Sequence, residues 1–261
     1  MRQIGNRHGM MAFMPNDYIH LAREALSRAK SIAVLTGAGI SAESGIPTFR
    51  DALTGLWEKF TPEQLATPDA FLANPKLVWE WYQWRREKVA DARPNPGHAA
   101  LVDLERKCIA RDANFTLITQ NVDGLHQLAG NRNVIELHGN IRRVKCFDNH
   151  HPIEFWDATG EIPPRCPKCG SMLRPDVVWF GESLPEDALD AAMRAASNCD
   201  VFLSIGTSAV VEPAASMPYA ARNTGAMVIE INSESTPLTG AAQISLRGMA
   251  GALLPQIVAQ A

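Results

Sequence analysis

The run Ser31-Ile32-Ala33-Val34-Leu35 is apolar at four consecutive positions and leads directly into Thr36-Gly37-Ala38-Gly39. A short run without alternation fits a strand buried on both faces, as in a parallel sheet. Glycines at its exit let backbone approach a neighbouring group with no Cβ in the way. Backbone N–H groups there can hold a pyrophosphate, helped by the positive end of a helix dipole. The alternative is a tight strand-to-helix turn that binds nothing. The dinucleotide pattern G-x-G-x-x-G is only partly met, because the third glycine is Gly45 and position 42 is Ala42. Polar residues fill the stretch that follows: Ser41, Glu43, Ser44, Thr48, Arg50 and Asp51 surround Gly45 and Pro47. A plain strand-to-helix connection needs fewer residues, and long polar loops of this kind commonly carry function.

Further buried-strand runs follow at Phe115–Thr119, Val134–Leu137, Val201–Ile205 and Met227–Ile231. Helical patterns lie between or before them, at Asp17–Lys30, Pro75–Ala92, His98–Lys107 and Leu184–Ser197, with helix starts at Thr61-Pro62 and Thr67-Pro68. Alternation of this kind predicts an α/β protein with a doubly wound parallel sheet. Ligands of such sheets sit at the carboxyl ends of the strands. Polar residues stand there: Gln120, Asn121 and Asp123, then His138, then Gly206, Thr207 and Ser208, then Asn232. A neutral imidazole at that edge is a natural base near neutral pH. His98 and His126 read as structural, and His98 as a capping residue. Leu56, Trp57 and Phe60 form an apolar cluster within 53–60.

Composition narrows the class of partner. The chain has 261 residues, 46% hydrophobic and 20% charged, with a formal net charge of −3. That balance is ordinary for a globular protein and gives no reason to expect a nucleic-acid partner. No apolar run is long enough for a membrane span. Five cysteines, an odd number in a long chain, predict free thiols in a reducing, cytoplasmic compartment. Cys108 and Cys199 read as buried thiols. Residues 1–16 read as a disordered tail and 17–261 as one catalytic domain. A monomer is expected.

On the helix Pro75–Ala92, Tyr82 and Arg85 are three residues apart and share a face. An Arg fork and a phenol can together hold a carboxylate. The alternative is an aromatic core helix with Arg85 in a surface ion pair.

Gly37 to Asp51, GAGISAESGIPTFRD, closely resembles the NAD-binding signature of the sirtuins, the NAD-dependent protein-lysine deacylases. Thr119 to His126, TQNVDGLH, Glu136-Leu137-His138-Gly139 and Gly206-Thr207-Ser208 resemble further sirtuin motifs in the family's order. The resemblance implies a Rossmann-like large lobe and a second module, zinc-ribbon-like and helical, inserted at about 44–90 and 139–177. It implies that Gly37, Ala38, Gly39, Ile40, Ser41, Glu43, Pro47, Phe49, Arg50, Gln120, Asn121, Asp123, Gly206, Thr207, Ser208 and Asn232 bind NAD. Asn121 and Asp123 would contact the nicotinamide end. Gly206, Thr207, Ser208 and Asn232 would lie on the adenosine side. His138 would be the general base acting on a ribose hydroxyl, with Asn121 beside it as a second catalytic residue.

The same resemblance implies acyl-lysine proteins or peptides as substrates, received by the segment 175–182 through Val178, Phe180, Gly181 and Glu182. The products would be free lysine, nicotinamide and O-acyl-ADP-ribose. Tyr82-x-x-Arg85 resembles the pair found in sirtuins that remove succinyl, malonyl or glutaryl groups. Plain deacetylation and mono-ADP-ribosyl transfer are the alternative activities.

Cys166-Pro167-Lys168-Cys169 has the spacing of half a zinc knuckle. Sirtuins pair such a half with an upstream C-x₂-C, and this chain departs from that: Cys146 is followed by Asn149 where a cysteine is expected. Cys146, Cys166 and Cys169 are therefore expected to hold a structural zinc with His150 as the fourth ligand, the alternative being a degenerate site held by packing.

Overall fold

The computed structural model describes residues 15–46, 60–156 and 160–259. The expectations for Pro47, Phe49, Arg50, Leu56 and Trp57 lie outside the described residues, as does the expected tail up to residue 14. The last two residues of that tail instead open a helix. In chain order the elements are α1 (Pro15–Arg28), β1 (Ser31–Thr36), α2 (Ala38–Ala42), α3 (Pro68–Ala73), α4 (Pro75–Asp91), α5 (Pro96–Ala110), β2 (Asn114–Thr119), α6 (Leu125–Ala129) and β3 (Val134–Glu136). They continue with β4 (Gly139–Cys146), β5 (Pro152–Ile153), β6 (Leu173–Val177), α7 (Glu186–Ser197), β7 (Val201–Ile205), α8 (Met217–Asn223), β8 (Met227–Asn232), β9 (Ile244–Arg247) and α9 (Ala250–Val258).

The main sheet runs β3-β2-β1-β7-β8-β9, and every pairing in it is parallel. Taking only its own strands in sequence, the order is 3-2-1-4-5-6, the doubly wound Rossmann order. Ile32, Val34, Leu117, Leu203 and Ile229 point to one face and pack with Leu26 of α1, Leu101 and Leu104 of α5, and Leu254 and Ile257 of α9. Ala33, Leu35, Ile118, Phe202 and Val228 point to the other, onto Ala192 and Ala196 of α7 and Met217 and Ala221 of α8. Both faces are covered, which is why the strands read as unbroken apolar runs.

A second sheet, β5-β4-β6, is antiparallel. Helix α4 packs on it through two apolar clusters. Trp81 and Tyr82 join Phe71, Ile141, Val177 and Trp179, whereas Trp79 joins Val144, Cys146, Ile153 and Leu173. The helix therefore buries aromatic rings on more than one face.

Local chemistry corrects several boundaries. Helix α5 begins at Pro96, two residues before His98, because Asn95 caps it. The Asn95 side chain accepts from Gly97 N–H at 2.9 Å, and His98 Nδ1 accepts from Asn95 N–H at 3.3 Å. This closes a capping box, the role expected for His98. The segment 175–182 is not one strand. Strand β6 ends at Val177, after which Val178 N–H donates to His138 O and Phe180 N–H to Ala66 O, both at 2.9 Å.

His98 and His126 lie ring to ring, 4.9 Å apart, at the junction of α5 and α6. Among the described residues neither His98 Nε2 nor His126 Nδ1 finds a hydrogen-bond partner. Burial lowers His98 from 6.5 to about 4 and, with a smaller push from His98, lowers His126 to about 3. The unfolded chain therefore takes up the protons first. Their contribution to stability is complete above about pH 6.5 and is lost as pH falls below it. Denaturant unfolding near pH 5 should show each ring costing about 2 kcal/mol relative to pH 7.5. A His126→Asn variant should lose about half of that pH dependence.

Candidate active site and metal centre

The sheet order reverses between β1 and β7, and the loops leaving these two strands are pressed together. Gly37 N–H donates to Ile205 O at 3.0 Å and Gly39 N–H to Gly206 O at 2.8 Å. A Cβ on Gly39 would come within 2.6 Å of Gly206 Cα, and one on Gly206, at φ +59, within 2.6 Å of Ile40 N. The glycines serve this close approach. The N–H groups of Gly37 and Gly39 are engaged inside the chain, so neither is left to hold a pyrophosphate as the motif alone suggested. Ile40 is a core side chain.

Polar side chains converge on this crevice. Ser41 Oγ donates to Asp123 Oδ2 at 2.8 Å, and Leu125 N–H donates to Asp123 Oδ1 at 2.8 Å. Asn121 Nδ2 donates to Gly37 O at 2.9 Å and to Ser41 Oγ at 3.1 Å. Gln120 Nε2 donates to Thr207 Oγ1 at 3.0 Å, and Asn232 Nδ2 to Thr207 O at 2.8 Å. Ser208 is exposed on the same loop. Burial pushes the Asp123 carboxyl up, against the pull of the Leu125 N–H and the Ser41 hydroxyl.

His138 stands at the end of β3. Its Nδ1 lies 2.9 Å from Gln120 O. A carbonyl only accepts, so Nδ1 carries the proton and Nε2 the lone pair. Burial lowers the ring below the usual imidazole range, partly offset by that hydrogen bond. The result is a neutral base with one nitrogen fixed and the other available. The Glu43 carboxylate accepts from Gly251 N–H at 2.6 Å, in the first turn of α9.

Facing the crevice is the turn after β6. Arg174, 1% exposed, donates to Glu182 Oε1 and Oε2 at 2.5 and 2.8 Å and to Val177 O at 2.9 Å. Its guanidinium stacks 3.4 Å over the Trp179 ring. Glu182 Oε2 also accepts from Trp179 N–H at 2.7 Å. Both oxygens of Glu182 thus hold the turn. Phe180, on the same turn, is 51% exposed. Val178 is half-buried, and Gly181 turns the chain at φ +85.

Trp179 Nε1 donates to Tyr82 Oη at 3.0 Å. Burial raises the Tyr82 phenol to about 12, against the neighbouring Arg85. The Arg85 guanidinium lies 4.9 Å from the Trp81 ring and 5.6 Å from the Tyr82 ring. Burial lowers its pKa, while Tyr82 and then Asp123 raise it.

Cys146, His151, Cys166 and Cys169 form a separate cluster, with one donor atom from each lying within 4.8 Å of every other. Cys146 and Cys169 sulfurs are 3.8 Å apart. Zinc–sulfur bonds of about 2.3 Å at tetrahedral angles require about that spacing. Asn149 N–H donates to Cys146 Sγ at 3.3 Å, and the Ser171 N–H and the Asn149 side chain lower Cys169 to about 6, which suits a thiolate ligand. The residues fit a structural zinc.

The fourth ligand is His151, not the expected His150. Across the β4–β5 hairpin Cys146 N–H donates to His151 O at 3.0 Å, in register with Lys145 opposite Pro152. Opposed residues project to one face, and a shift of one residue reverses it. His150 sits in the turn at φ +53.

The Sir2 family model matches residues 37–213, and this chain belongs to that family. The chain is 54% identical over 228 residues to an NAD-dependent protein deacylase of Aquifex aeolicus, covering 87% of this chain and 93% of the relative. It is 52% identical over 246 residues to one from Pyrococcus abyssi, covering 92% and 96%. A crystal structure of a Sir2 homologue–NAD complex matches with TM-score 0.84 and 48% identity, covering 97% of this chain and 95% of that one.

The parity of the hairpin can be tested directly. Purified His151→Ala should bind less zinc per chain by elemental analysis and unfold at lower denaturant concentration, whereas His150→Ala should match the wild type in both.

Proposed function

We infer that this chain is an NAD-dependent protein-lysine deacylase, and propose that it prefers acyl groups that end in a carboxylate. The observation that carries the first part is His138, neutral and fixed through Nδ1, with Nε2 available at the carboxyl edge of the sheet beside Asn121 and Asp123. NAD supplies a glycosidic bond to a good leaving group, nicotinamide, and the ADP-ribose that accepts the acyl group.

The chain's own residues divide the remaining work. Asn121 and Asp123, braced by Ser41, would hold the nicotinamide amide. Gln120, Thr207 and Asn232 would orient the ribose and adenosine end. His138 Nε2 would take the proton from a ribose hydroxyl as that oxygen becomes a nucleophile. The exposed Phe180 turn would receive the substrate backbone.

Support for the acidic-acyl preference comes from Arg85. Its guanidinium lies 5.6 Å from the Tyr82 ring centroid, on the same face of α4. A carboxylate there would gain a charge-assisted contact in a partly dry site. Tyr82 Oη accepts from Trp179, so its own hydrogen remains for a donor role. Five free cysteines agree with action in a reducing, cytoplasmic compartment. Among the described residues no helix is long and apolar enough to cross a membrane.

The deciding experiment compares matched succinyl-lysine and acetyl-lysine peptides with NAD, by mass spectrometry. Arg85→Met should reduce desuccinylation about a hundredfold, in line with loss of a charged hydrogen bond of roughly 3 kcal/mol, and change deacetylation less than threefold. Equal loss on both peptides, or a wild type that favours acetyl, would leave a plain deacetylase. Label from NAD retained on the acceptor protein would point to ADP-ribosyl transfer.

The pH dependence follows from His138. The base acts only when neutral and its pKa is lowered, so kcat/KM should stay level below the usual imidazole value of about 6.5 and then fall as pH drops further. His138→Ala should abolish turnover while ADP-ribose still binds.

A further inference from the structure

Strand β8 reads Met-Val-Ile-Glu-Ile-Asn, with one acid at the centre of a buried apolar run. That acid, Glu230, is 1% exposed and faces no cation among its hydrogen-bond partners. It is surrounded by hydroxyls. Thr236 Oγ1 donates to Oε1, while Thr239 Oγ1 and Ser245 Oγ donate to Oε2 at 2.7 and 2.8 Å.

Each hydroxyl has one hydrogen, and each gives it to Glu230. The hydroxyl oxygens then serve as acceptors for backbone. Thr236 Oγ1 takes Leu238 N–H at 3.1 Å, and Thr239 Oγ1 takes Thr236 N–H at 2.9 Å. One carboxylate therefore fixes the direction of three hydroxyls, and two of these shape the turn over 236–239.

That turn belongs to the connection that begins at Asn232. Glu230 and Asn232 are two apart on one strand, so they share a face. Asn232 Oδ1 accepts from Glu234 N–H at 3.2 Å, and its Nδ2 donates to Thr207 O at 2.8 Å. Thr207 in turn meets Gln120. The chain of contacts runs from a buried acid, through a loop, to the groups at the β7 and β8 edge.

We propose that Glu230 is a positioning residue for the adenosine half of NAD, aiming Asn232 and Thr207 through the hydroxyl-bound connection without touching the cofactor. The proposal rests on the reading of Asn232 and Thr207 as adenosine-side contacts, and on nothing about acyl preference.

The test is calorimetric titration of the folded protein with ADP-ribose, alongside steady-state kinetics in NAD and in acyl-lysine peptide. Glu230→Ala should weaken ADP-ribose about tenfold, a change of about 1.4 kcal/mol. It should raise KM for NAD to match, with kcat and the peptide KM within twofold of wild type. Glu230→Gln keeps one acceptor oxygen but puts a donor at the other, and should recover part of the loss. Should Glu230→Ala fail to fold, Thr239→Val decides, with a smaller weakening in the same direction expected. Unchanged ADP-ribose affinity, or a fall in kcat alone in proportion to the folded fraction, would overturn the proposal by making Glu230 purely structural. Asn232→Ala separates the premise from the inference. If it binds ADP-ribose as tightly as wild type, the adenosine-side reading fails and the proposal with it. If Asn232→Ala weakens binding but Glu230→Ala does not, only the positioning role is lost.

Discussion

The hydrogen bonds from Gly37 to Ile205 and from Gly39 to Gly206 set the distance between the exits of β1 and β7. No side chain fits between these two loops. Because they meet there, α2 starts at once, and Ser41 in its last turn reaches Asp123 on the neighbouring loop. Asn121 can then donate to Gly37 O. The crevice at the reversal of strand order is thus defined by backbone contact first and by polar side chains second. A chain unable to make that contact would still form the parallel sheet but would lose the arrangement of its edge.

The two sheets meet through polar contacts. Arg142 on β4 donates from Nε to Asp123 O at 2.9 Å and from Nη2 to Val89 O at 3.0 Å. Glu136, at the end of β3, accepts from Asn140 and Gln127 and pairs with Arg143, which also reaches Asp176 on β6. These contacts are directional and partly hydrated, unlike the packed interiors on either side. The metal cluster lies beyond them, among Trp79, Val144, Ile153 and Leu173. A small three-stranded sheet is the kind that a structural metal can secure.

Much of this was legible beforehand where a residue's role depends on its immediate neighbours. The buried strands showed as apolar runs because both faces are covered. Thr67-Pro68 announced a helix start, and Thr67 caps α3. Polar residues at strand ends marked the ligand edge. The short elements α6, α8 and β9 were not read, because five, seven and four residues are too few to display a period. Strand β4 was hidden in a stretch whose composition suggested only a metal module. Glu230 left a faint signal, a lone acid in an apolar strand, but its hydroxyl partners come from later in the chain.

The sequence by itself determined the alternation of the longer strands and helices, the family motifs, the cysteines available as ligands and the residue types at the sheet edge, because each is a local pattern. Only the tertiary structure decided which way individual side chains are used. Glu43 turns to α9 and Glu182 to Arg174, although both stand inside motifs read as binding. His151 rather than His150 joins the cysteines, because strand pairing has a parity that residue spacing does not record. Gly37 and Gly39 serve loop packing, because the partner that demands them, Gly206, is far along the chain and adjacent only in the folded sheet.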